Sequence, residues 1–105
     1  MSHYVVIREA GPGWIDGGIA AQPDTGDHAA FMNALADEGF VLFAGPLAGT
    51  ETGRLRVLLI VDAGGEDEIR CRLADDPWVR TERLRISTVE PWHLIVGAER
   101  LAAMA

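Results

Sequence analysis

Two hydrophobic periods alternate along this chain, one of two residues and one of three to four, and they predict the order strand, helix, strand, strand, helix, strand. Tyr4-Val5-Val6-Ile7-Arg8 is a β-branched run ended by Glu9-Ala10-Gly11-Pro12-Gly13, a first strand and its turn. From Gly11 to Gly26 five Gly and two Pro leave little periodicity, which predicts one long loop interrupted by Trp14 and Ile15. Thr25 or Asp27 then caps a helix with Phe31, Met32 and Leu35 on one face, and Gly39 stops it. Phe40 to Ala44 is apolar throughout and reads as a strand buried on both faces, ended by Gly45-Pro46-Leu47. A polar connection, Ala48 to Gly53, leads to a third strand, Leu55 to Val61, antiparallel to the second. Glu66-Asp67-Glu68 followed by Arg70 and Arg72 complements a helix dipole and marks the second helix. Asp76-Pro77-Trp78 closes that helix and opens the last strand, since proline drives the residue before it onto extended backbone. The strand alternates from Leu84 to Val89, less cleanly at Thr88, and runs past Pro91 to Val96. Residues 98–105 form a tail, either a helical turn or a frayed end.

This order is the split βαβ arrangement, and the fold expected is ferredoxin-like α+β, βαββαβ with a four-stranded antiparallel sheet. With 105 residues and 49% hydrophobic content the chain suits one core and one domain, residues 1–105. Right-handed crossovers and the central hairpin fix the direction of every element. The end where the first strand finishes therefore collects the Trp14 loop, His28, Gly45-Pro46 and Asp76-Pro77-Trp78, so His28 and Asp76 are expected to meet in a small-molecule pocket there. Two helices on one face of the sheet leave the other face in need of cover. Apolar residues on both alternating sets of strands two and three predict a second copy as that cover, a two-fold homodimer through the sheet face to which Trp92 and Leu94 contribute.

Composition narrows the chemistry. A formal charge of -7, with nine scattered Arg and no Lys, argues against a nucleic-acid surface, a Schiff base or a P-loop. The single Cys71 fits a reducing compartment, and its place in a helix predicts a small packed hydrophobe. No basic segment leads an apolar stretch and no run approaches the roughly 18 residues of a membrane span, so a soluble, cytoplasmic protein with no membrane partner is expected. His3 and His93 lack the spacing to His28 that a metal site needs, and no phosphate loop, nucleophile elbow or heme pocket is marked; neither metal nor cofactor is expected.

Four motifs in order, His28-Ala29-Ala30-Phe31-Met32, Gly45-Pro46-Leu47, Asp76-Pro77-Trp78 and Val89-Glu90-Pro91-Trp92, together with Gly11-Pro12-Gly13-Trp14, resemble the YCII-related proteins. These are small members of the dimeric α+β barrel superfamily, and the likeness runs from Tyr4 to Val96. It departs just before His28, where Asp24-Thr25-Gly26-Asp27 stands in place of an aromatic. The resemblance implies a protomer whose sheet pairs with another into a dimeric barrel. It also implies an active-site pair of His28 and Asp76, and chemistry of isomerisation or elimination on small oxygenated ring compounds.

A neutral imidazole oriented by a carboxylate moves protons without a cofactor. Each residue also has a plainer role. His28 can hydrogen-bond a ligand or simply start a helix, and Asp76 can cap the turn around Trp78. Trp14 and Trp78 either pack or stack on a substrate, while Gly45-Pro46 ends a strand and offers the Gly45 N–H to a ligand. The function expected is a cofactor-independent lyase or isomerase with His28 as acid/base. The alternative is a non-catalytic ligand-binding or dimeric scaffold protein that retains the pocket.

Overall fold

A computed structural model describes residues 2–48 and 54–104. Its elements are β1 (Ser2–Ala10), a 3-10 turn (Ile19–Ala21), α1 (Thr25–Asp37), β2 (Val41–Pro46), β3 (Arg56–Ala63), α2 (Glu66–Leu73), α3 (Pro77–Arg80), β4 (Leu84–Pro91) and α4 (Ala98–Met104). The strands form one antiparallel sheet in the order β2-β3-β1-β4, the ferredoxin-like α+β topology. β1 lies in the middle, registered from Ser2↔Ala63 to Glu9↔Arg56 against β3 and from Tyr4↔Pro91 to Ala10↔Leu84 against β4. The predicted connection from Ala48 to Gly53 lies, beyond Ala48, outside the described residues.

Strand parity builds the core. Val6 of β1 and Leu59, Val61 and Ala63 of β3 point to the helical side, where they meet Leu35, Ile69 and Leu73, all buried. A second buried cluster, Ala10, Leu55, Trp78 and Leu84, closes the end of the sheet where β1 finishes. The weak alternation at Thr88 has a structural cause: Arg8 pairs with Ile86 while Ile7 pairs with Thr88, so Ser87 is the extra residue of a β-bulge. The bulge restores parity, and both Ile86 and Val89 pack against the core.

Several local expectations are corrected. Asp76-Pro77-Trp78 opens not a strand but the short helix α3, and β4 starts only at Leu84 after a turn with Glu82 in the left-handed region (φ 58). An N-cap Asp followed by Pro at the first helical position explains the difference, since proline loses nothing where no N–H partner exists. Neither Thr25 nor Asp27 caps α1: its N-cap is Asp24 at φ 60, without a side-chain cap, and the Thr25 hydroxyl donates to Gln22 O at 2.8 Å. The long loop is not formless. Gln22, buried, accepts from Ile15 N at 3.0 Å and donates to Gly18 O at 2.8 Å. Gly11 and Gly13 press against the turn before β4, where an added Cβ would lie 2.3 Å from Glu82 O and Thr81 O respectively.

β2 is not buried on both faces, because Phe43 lies beside Ile60 on the side of the sheet away from the helices and is 48% exposed. β4 stops at Pro91; Trp92 N still bonds His3 O at 2.9 Å, but Ile95 and Val96 stand in solvent. The tail is helical, α4, and its buried Leu101 shares a groove with Phe43, Ile60, Trp92 and Leu94. Cys71 is exposed rather than packed, since Ile69 and Leu73 define the inner face of α2 and Cys71 lies on the other. Among the described residues no helix is long and apolar enough to cross a membrane.

Candidate active site

Asp76 sits at the N-cap of α3 on extended backbone (φ -60, ψ 127), and its Oδ1 accepts the Trp78 N–H at 2.9 Å. From there the carboxylate reaches back to the first turn of α1. His28 Nδ1 lies 2.8 Å from Oδ1 and 2.9 Å from Oδ2. The third partner comes from the middle of the sheet: Arg8 Nη2 donates to Oδ2. Arg8 and Asp76 are 1% and 0% exposed, so this is an ion pair withdrawn from water, with the half-buried imidazole as its edge toward the outside.

The electrostatics follow from this packing. Burial pushes the Asp76 carboxyl pKa up, but the His28 hydrogen bond, the Arg8 charge and hydrogen bond and the Trp78 N–H outweigh it and hold the pKa below the ordinary carboxylate value. Asp76 is therefore an anion and can only accept, so in the neutral imidazole Nδ1 carries the proton and Nε2 the lone pair. Trp78 fixes the ring itself. The His28 and Trp78 rings stack with centroids 4.0 Å apart and 4° between planes, and Trp78 Nε1 is tied to Pro23 O at 2.9 Å.

His28 opens onto a cavity of about 320 Å³. Its wall is mostly apolar, with Ile19, Ala29, Met32, Leu55, Val57 and Leu84, and Arg8, Thr25, Gly45, Pro46 and Trp78 also line it. Of the residues singled out from the sequence, His28, Trp78, Gly45 and Pro46 thus line one space, and Asp76 lies behind His28. Trp14 does not reach the wall; it packs edge-on against Trp78 at 6.0 Å and 87°, and supports the indole from behind. Arg8 is the site residue that sequence reasoning does not single out, because it looks like the polar end of the first strand, although its parity with Val6 aims it at the helices. Among the described residues, no group of three or more His, Cys, Asp or Glu side chains is placed to hold a metal ion.

No family model matches the sequence, and no curated protein matches it in sequence. Among solved structures, the 5-chloro-2-hydroxyhydroquinone dehydrochlorinase TftG from Burkholderia phenoliruptrix AC1100, in complex with 2,5-dihydroxybenzoquinone, superposes with a TM-score of 0.60. The match covers 92% of this chain and 97% of that one at 18% identity. The likeness is one of fold, the ferredoxin-like α+β arrangement described above. Within this fold, the cavity occupies the end of the sheet where β1 and β2 finish and β3 and β4 begin, walled by Leu55, Leu84 and Pro46.

Proposed function

We propose that this chain is a YCII-related, cytoplasmic, cofactor-independent lyase or isomerase that moves a proton on a small oxygenated cyclic compound. His28 is its general acid/base and Asp76 the residue that orients it. One observation carries the reading: a fully buried carboxylate accepts from His28 Nδ1 at 2.8 Å, which leaves Nε2 as the basic atom of a ring that lines an apolar cavity. A neutral acceptor held in one tautomer takes a proton from carbon or oxygen, and the imidazolium so formed keeps its bond to Asp76. The fold it shares with a dehydrochlorinase of a hydroxyhydroquinone supports the choice of ring compound. The cavity, about 320 Å³, lies within the usual range for small-molecule sites.

The test is turnover by the wild-type protein of a panel of muconolactones, chlorinated hydroquinones and related enols. Chloride release, ring isomerisation or solvent-deuterium incorporation is the expected result with at least one compound. Saturable binding of panel members with none of these products would instead establish the non-catalytic binding protein.

A second copy of the chain is proposed as cover for the sheet face away from the helices. That face carries Val5, Ile7, Leu58 and Ile60 in adjacent rows, with Phe43 beside them half exposed, and α4 occupies only the end near Leu101. Sedimentation at micromolar concentration is expected to give a dimer, and Phe43→Glu, which sets a charge on the edge strand of that face, a monomer. A wild-type monomer at that concentration would contradict the assignment.

A further inference from the structure

Arg8 is the least satisfied group at the site. Among the described residues, its Nη2 is committed to Asp76, its Nε is buried without a partner, and its Nη1 has only the Met32 sulfur, at 3.4 Å. A thioether is a weak acceptor for a guanidinium, and hydrogen bonds to charged groups are among the strongest a protein makes. Arg8 and Met32 both line the cavity, and methionine is the side chain that most readily changes rotamer to admit something else. Among the described residues, the rest of the wall offers no second guanidinium and, since Asp76 is fully enclosed, no accessible carboxylate.

We propose that Arg8 is the oxyanion-binding residue of this cavity, and that an ionised hydroxyl of a phenol or enol takes the place of the Met32 sulfur at Nη1. The idea rests on the proton-transfer reading of His28 and adds the chemical form in which the ligand is held. The ligand enters neutral. Its O–H bond breaks, the proton goes to His28 Nε2, and the electron pair stays on the ligand oxygen. Charge then balances within the site: the Asp76 carboxylate and the ligand oxyanion face the Arg8 guanidinium and the His28 imidazolium. Without Arg8 the new anion would lie in an apolar wall with the imidazolium alone, and the desolvation cost of a buried charge would return the proton to oxygen. A dianion, a neutral alcohol or a cation does not fit this balance, so monoanions of acidic ring hydroxyls are the class selected.

The experiment uses 4-nitrophenol, whose absorption distinguishes phenol from phenolate, at a pH below its own pKa where the free probe is colourless. Bound to the wild-type protein it is expected to show the phenolate band. Met32→Leu removes the sulfur at similar volume and is expected to keep that band. Met32→Gln supplies a side-chain carbonyl as a permanent acceptor for Nη1 and is expected to weaken phenolate binding by roughly tenfold or more, the weight of one charge-assisted bond. Both variants leave the Arg8–Asp76 pair in place and so do not depend on the tolerance of the fold for Arg8 changes. A colourless bound probe in the wild type overturns the proposal, and so does equal phenolate affinity in Met32→Leu and Met32→Gln. A band lost in His28→Gln but kept in Met32→Gln assigns the ionisation to His28 alone and overturns it too. Phenolate binding that follows the Met32 series in a protein that turns over none of the panel sustains Arg8 and removes the enzyme reading, so the two can fail separately.

Discussion

Asp76→Ala is expected to lower the stability of the fold by about 3–5 kcal/mol, because it strands a guanidinium that is 1% exposed. Asp76 accepts from three donors on three sides of the molecule, and each loses its partner at once: Arg8 in the sheet, His28 on α1, whose Nδ1 lies between the two carboxylate oxygens, and the Trp78 N–H that starts α3. Asp76→Asn keeps the cap on Trp78 through its carbonyl but not the charge, and falls between the two proteins. Urea denaturation at neutral pH measures both. The same carboxylate predicts an acid limit. Its folded pKa is depressed, so between that value and the ordinary carboxylate value near 3.9 the unfolded chain binds the extra proton. The contribution of Asp76 is therefore fully present above about pH 5 and is lost as pH falls through the folded value. In Asp76→Asn that part of the acid dependence should be absent. An alanine variant within about 1 kcal/mol of wild type would show that the network carries no net stability, as some buried ion pairs do not.

How much of this was legible beforehand depended on the kind of signal. His28 and Asp76 are far apart in sequence, yet chain direction alone placed them at one end, because crossover handedness leaves a four-stranded sheet of this order little freedom. The same reasoning placed Gly45, Pro46 and Trp78. What it did not yield were features that look like something else locally. Arg8 reads as the polar end of a strand, and only the period-two parity shared with Val6 and Ala10 marks it as inward. Asp76-Pro77 reads as a turn into a strand, whereas the same pair is equally a cap and a first helical residue. Gln22 carried no local signal, since its role is to bind backbone groups of its own loop. The broken alternation at Thr88 was visible but ambiguous until the register showed a bulge opposite Ile7 and Arg8. For Cys71 the signal lies in the i, i+4 pair Ile69 and Leu73, which defines the buried face of α2 and leaves the thiol outside it.

His28→Ala is expected to lower kcat on whichever panel compound is turned over by about 10²–10⁴-fold, the usual contribution of a positioned acid/base, with KM changed far less. The asymmetry follows from the wall. The substitution leaves the apolar wall of Trp78, Leu55, Val57 and Leu84 in place, so ground-state binding is expected to survive while proton transfer does not. Packing offers a competing explanation, since the imidazole also stacks on Trp78 at 4.0 Å and alanine would unstack it. His28→Phe separates the two causes: it retains an aromatic face for the indole but has no basic nitrogen. If proton transfer is the role, Phe and Ala lose rate alike. If the stack is what matters, Phe recovers most of it. A water admitted by Ala but excluded by Phe would split them the other way, with Ala the faster, and solvent-deuterium incorporation into recovered substrate would then detect the residual exchange. Activity within about twofold of wild type in both variants, on the free-energy scale of under 1 kcal/mol, would remove His28 from the reaction and leave Asp76 a structural anion.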